Sequence, residues 1–197
     1  MTTQTKDPVS GTRAAITPRT VPGEPGLWLI IFAELVLFGV YFGCITYYRI
    51  EHPDMFRESK EILNPAVGIA YTALLLTGSL FVVLGINAVQ RLAARDATRW
   101  FRYASWTGVA FFVAKCVEYG TKASDGIFPN TNDFFMMYFV LTALHLCHVI
   151  AATILFLVIG YGPDSVRLRL NFIEGSGSYW HFVDAVWVFL FALFYLV

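Results

Sequence analysis

Five apolar stretches punctuate this sequence, at about 27–48, 65–89, 100–119, 134–160 and 178–197. Each is near the roughly 20 residues that an α-helix needs to cross the hydrocarbon core of a bilayer. A membrane β-strand is half as long and alternates in polarity, and none of the five stretches alternates. Charged residues are only 14% of the chain and hydrophobic residues 57%, whereas a soluble domain carries about 25% charged residues. There is too little polar surface here to cover a water-soluble globule. The sequence therefore predicts an all-α integral membrane protein, a bundle of five transmembrane helices. The formal net charge is zero, so no nucleic-acid partner is expected.

Residues 1–26 carry Lys6, Arg13 and Arg19 among Thr, Pro and Gly, with no apolar run. A signal peptide needs such a run near its basic start. The segment reads as a disordered cytoplasmic tail closing on the turn Pro22-Gly23-Glu24-Pro25-Gly26, and 27–197 as one membrane domain. Basic residues in the connections set orientation. The tail, the 90–102 loop (Arg91, Arg95, Arg99, Arg102) and the 161–177 loop (Arg167, Arg169) together hold nine, against four at Arg49, Arg57, Lys60 and Lys122. The N-terminus is expected in the cytoplasm and Val197 on the opposite side. The two matching halves of an inverted-repeat transporter are not visible.

The polar residues inside the spans are the informative ones, because a charged side chain at mid-bilayer costs about 2.5–3.5 kcal/mol on insertion scales. Glu34 lies about 10 Å into the first span at 1.5 Å per residue, where burial favours the protonated acid. It reads either as a proton-relay member or as an acid hydrogen-bonded to a neighbouring helix. Lys115 and Glu118 are three apart near the outer end of the third span, suited to a local ion pair. His145 and His148 share one face of the fourth span and read as neutral histidines bonded across helices. His181 and Asp184, also three apart, suit an imidazole–carboxylate hydrogen bond in the first turns of the fifth span. Cys44, Cys116 and Cys147 read as small apolar fillers. The pair Gly39 and Gly43 allows close approach, either within the bundle or to a partner. These donors match neither a bis-histidine haem nor a di-iron site, which wants several Glu and two Glu-x-x-His motifs. No metal ligand and no catalytic residue is assigned.

The string Tyr179-Trp180-His181-Phe182-Val183-Asp184-Ala185-Val186-Trp187-Val188-Phe189-Leu190 closely resembles the last-helix signature of cytochrome c oxidase subunit III, YWHFVDxVWxFLF. Leu144-His145-Leu146-Cys147-His148-Val149 resembles that family's HxxHV motif, and Glu118-Tyr119 with Ser124-Asp125-Gly126-Ile127-Phe128 its EY…SDG loop. Glu34 within Phe32–Phe38 is similar to the family's intramembrane glutamate. The resemblance runs from about 24 to 197, with the motifs in order. Longer members carry two further N-terminal helices and a lipid-filled cleft; this chain has only the later five. Its opening Pro22-Gly23-Glu24-Pro25-Gly26-Leu27-Trp28 is most similar to the NorE-type branch associated with nitric oxide reductases, and the five-helix form is also compatible with subunit III of bacterial oxidases.

The resemblance implies a non-catalytic accessory subunit of a haem–copper oxygen or nitric oxide reductase in a bacterial cytoplasmic membrane. The chain itself would bind no redox cofactor: haem, with copper or iron, would belong to the partner catalytic subunit. Membrane lipids are implied partners and a bound phospholipid is compatible with the role. Carried onto this chain, Glu34 would stand beside a lipid, gas or proton route. His145, His148, His181 and Asp184 would make polar contacts between helices, and Lys115 with Glu118 an outer ion pair. A different class remains open: an independent small transporter or proton channel using Glu34 and the histidines as a relay. A membrane sensor finds no accompanying domain.

Overall fold

Proline opens three of the six α-helices among the described residues, each time in the first turn, where its missing N–H is not needed. The computed structural model describes residues 25–162 and 170–196. Helix α1 spans Pro25–Glu51, α2 Pro53–Glu61, α3 Pro65–Gln90, α4 Ala94–Ser124, α5 Asp133–Tyr161 and α6 Leu170–Phe191, followed by a π-helical turn at Ala192–Leu196. Lys6, Arg13 and Arg19 of the expected tail, and Arg167 and Arg169 of the last connection, lie outside the described residues. Asparagine side chains cap two helices: Asn64 Oδ1 accepts from Ala66 N at 2.9 Å, and Asn132 Oδ1 from Phe135 N at 2.9 Å. Between α3 and α4 the chain reverses at Leu92, with φ of 60°. Ala93 N there reaches back to Ala88 O at 2.9 Å, closing α3 with the left-handed cap that glycine usually supplies.

Helix α4 packs along both α3 and α5, and α6 closes the other side against the same two helices. Their shared centre is aromatic: Phe101, Phe111, Tyr138, Phe156, Trp180 and Trp187 are all but inaccessible. Helix α1 leans on α5 and α6 at the edge and buries only Phe38 and Ile45. The rest of its surface, including Leu29, Phe32, Leu35 and Val40, faces outward. A helix apolar on every side suits lipid or a protein neighbour rather than water.

Four of the five long helices are apolar enough to cross a membrane by composition: α1, α3, α5 and α6 through Leu196. Helix α4 is longer still, 31 residues, but Arg95, Asp96, Arg99 and Arg102 at one end and Lys115, Glu118 and Lys122 toward the other keep it off that set. The turn expected at Pro22–Gly26 is overtaken at its end, since Pro25 and Gly26 already belong to α1. The last helix starts at Leu170, not near Ser178. Its Gly175-Ser176-Gly177-Ser178 run looks like a loop, yet Gly175, Ser176 and Gly177 are buried in the helix. A Cβ on Gly177 would lie 2.6 Å from Ile86 Cδ1, so the small residue is what lets α6 approach α3. The serine hydroxyls return to helix carbonyls, Ser176 to Phe172 O at 2.8 Å and Ser178 to Glu174 O at 3.0 Å. Helix α2 is an addition to the sequence reading. Cys44, Cys116 and Cys147, expected as small apolar fillers within the spans, lie on the exposed surface of the bundle.

Candidate functional site

Three clusters of polar and charged side chains stand out inside the bundle among the described residues. At the end of α4, one helical turn brings Lys115 Nζ to 2.8 Å from Glu118 Oε2, with the lysine side chain wholly buried. A lysine without water needs more than one partner. Its ammonium also donates to Tyr138 Oη at 3.1 Å and lies 5.0–5.6 Å from the ring centres of Tyr71, Tyr119, Tyr138 and Trp187, a cage whose ring faces favour a cation. Tyr138 donates to the other carboxylate oxygen, Glu118 Oε1. Lys122 Nζ stands 3.7 Å from that same oxygen and Tyr195 Oη 3.3 Å. Glu118 thus ties α4 to α5 and to the π-helical turn. The i,i+3 spacing reveals the pair with Lys115. The i,i+4 spacing of Glu118 to Lys122 carries the same kind of signal, though the sequence reading did not use it. Tyr138 and Tyr195 come from sequence positions that carry none.

The second place joins α1 to α5. His148 Nε2 is 3.1 Å from Glu34 Oε2, and both groups are largely shielded. On its other side the ring meets Leu144 O at 2.8 Å through Nδ1. A carbonyl can only accept, so Nδ1 carries a hydrogen. Nε2 then approaches Glu34 Oε2 closely but off the line that a hydrogen bond needs, and Oε2 is buried with no hydrogen-bond partner. Phe38 sits edge-on to the imidazole at 5.7 Å and helps keep water away.

Ser79 organises the third place. Its hydroxyl donates to Asp184 Oδ2 at 2.6 Å and stands 3.2 Å from His181 Nδ1. With its one hydrogen committed to the carboxylate, the serine accepts from the imidazole. The direct His181–Asp184 bond expected from their spacing is replaced by this bridge, because α3 supplies a hydroxyl between them. Asp184 is buried, while His181 is exposed at the bundle surface.

His145 corrects a further expectation. Rather than bonding across helices, both ring nitrogens lack a hydrogen-bond partner, and the ring is fully buried. It lies 5.2 Å from the Trp187 ring and 5.8 Å, edge-on, from Phe111. The histidine serves there as a flat aromatic block. Among the described residues, no three of His, Cys, Asp and Glu converge as metal ligands do. A Cβ placed on Gly39 or Gly43 would meet nothing within 4 Å, so their close-approach surface faces away from the bundle.

Apolar helix faces outside and paired charges inside define a multi-pass membrane protein. The chain belongs to the cytochrome c oxidase subunit III family, whose profile matches residues 24–197. It is 28% identical to the probable quinol oxidase subunit 3 of Staphylococcus aureus, over 92% of this chain and 94% of the relative. It is 26% identical to cytochrome c oxidase subunit 3 of Corynebacterium diphtheriae, over 98% and 96%.

Proposed function

We propose that this chain is the non-catalytic accessory subunit of a haem–copper respiratory reductase. What carries this reading is family membership along nearly the whole length, with relatives named as oxidase subunit 3 on both counts of coverage. In it α4 is a fifth membrane span, its Lys115 and Glu118 neutralising one another inside the bundle, and the basic α3–α4 connection faces the cytoplasm. Haem and copper or iron belong to the partner: the mid-bundle donors amount to Glu34 and His148, with His145 held in an aromatic stack. The accessory role is to steady the catalytic subunit and to support lipid, gas and proton access, with the Glu34–His148 pair as the group able to hold a proton along such a route. The partner reduces oxygen or nitric oxide. Both relatives are oxidase subunits, whereas the Pro22–Trp28 segment resembles the NorE-type branch.

Purification of the tagged chain from its native membrane in mild detergent tests this reading. Haem absorbance in the eluate, with a large catalytic polypeptide, is the expected result, and that polypeptide's identity decides between the two gases. A colourless eluate of this chain alone, in several detergents and from respiring cells, overturns it. Proton flux through the purified chain in liposomes would then favour the channel reading.

A further inference from the structure

Helix α2 lies across one end of the bundle and sorts its charges by face. Pro53, Phe56, Arg57 and Lys60 follow the i, i+3, i+4, i+7 spacing of one helical face, while Asp54, Glu58 and Glu61 fall on another. The first face closes a cavity of about 330 Å³ together with Arg49 of α1, Phe134 of α5 and Leu193 of the π-helical turn. Its floor is apolar and rigid: Phe56 and Phe134 are buried and meet edge-on at 5.3 Å. Its rim is cationic, and none of its lining residues is acidic among the described residues. Lys60 Nζ is held at the rim by Leu196 O at 2.8 Å, and Arg57 by a surface contact to Asp54 at 3.1 Å.

Depth argues for the occupant. Helix α1 has 27 residues, about 40 Å at 1.5 Å per residue, more than the roughly 30 Å of hydrocarbon. Arg49, in its last turn, therefore comes level with the lipid headgroups. A cationic rim over an aromatic floor at that level matches the junction of a phosphodiester with the first methylenes of its acyl chains. Arginine suits phosphate through its planar fork of donors. We propose that this cavity binds one anionic glycerophospholipid, its phosphate gripped by Arg49, Arg57 and Lys60 and its proximal chain resting on Phe56, Phe134 and Leu193. The site requires only that the bundle sit in a bilayer, and it stands whether or not a catalytic subunit is attached.

The test is native mass spectrometry of the delipidated full-length chain titrated with phosphatidylglycerol or with phosphatidylcholine of the same acyl chains. The expected result is one tight phosphatidylglycerol per chain. In R57Q/K60Q, its preference over phosphatidylcholine should fall roughly 10–30-fold, given about fivefold per basic residue near an acidic headgroup. R57K/K60R should restore the preference, and E58Q/E61Q, on the other face, should leave it unchanged. Matching thermal transitions of the variants exclude unfolding as the cause. If R57Q/K60Q does not fold, Arg49→Gln read alone must still lower the preference. Equal binding of the two lipids by the parent chain overturns the proposal. So does displacement of phosphatidylglycerol by inorganic phosphate at equal concentration, which would make the cavity a site for free phosphate.

Discussion

Glu118 accepts from Tyr138 and is flanked by two lysines, so its carboxylate is the anion that lets Lys115 stay buried. Removing one partner of a buried pair strands the other and costs about 3–5 kcal/mol, while replacing both by apolar groups of similar size is often neutral. Glu118→Leu should therefore lower the thermal transition in detergent sharply, and Lys115→Met combined with Glu118→Leu should recover most of the loss. Equal transitions for the single and double variants would show that the pair is not coupled. At His148, the bond to Leu144 O dictates the ring's hydrogen. Nitrogen-15 spectra of histidine-labelled protein should show a protonated, hydrogen-bonded Nδ1 at this residue, and a bare Nδ1 would refute the assignment. Local spacing made some of this readable in advance. Lys115 and Glu118 sit one turn apart, so their meeting needs no tertiary knowledge. Ser79, Tyr138 and Tyr195 meet their partners across 20 to 105 positions, and nothing in a single sequence encodes which helices will face each other.

Helices whose apolar run fills them end to end, α3 and α5, are the ones whose limits the sequence predicts to within a residue or so. Helix α2 escapes because nine polar-rich residues carry no membrane signal, only the segregation of charge that becomes visible once its faces are known. The early start of α6 escapes because glycine and serine signal a loop in water but close contact between helices in lipid. Gly78 tests that idea. A Cβ there would come within 2.5 Å of Thr107 Oγ1 and 2.8 Å of Trp180 Cζ2, wedging α3 away from α4 and α6. Gly78→Ala should destabilise the bundle by about 1–3 kcal/mol. Gly39→Ala, with open space around it, should be neutral or slightly stabilising, since alanine is the better helix former by about 1 kcal/mol. Thermal denaturation of the two side by side checks the contrast, and similar losses for both would mean that the tight contact does not hold.

At the scale of the molecule, the route of α4 decides how many times the chain crosses the membrane. Leu92 and Ser124 lie at its two ends, both exposed. In a background with Cys44, Cys116 and Cys147 replaced by alanine, Ser124→Cys should react with an impermeant maleimide in intact spheroplasts, and Leu92→Cys only after lysis. Labelling of both from one side would place α4 outside the set of spans and reverse the proposed orientation of the last helix.

A membrane that holds a standing voltage does work of about 2.3 kcal/mol on each elementary charge for every 100 mV crossed in full. Lys115 and Glu118 stand 2.8 Å apart, less than a tenth of the roughly 30 Å over which such a field drops. What the voltage does to the lysine it nearly undoes on the glutamate, so the buried pair can sit in an energised membrane without being drawn along it. A variant that keeps only one of the two would lose that balance.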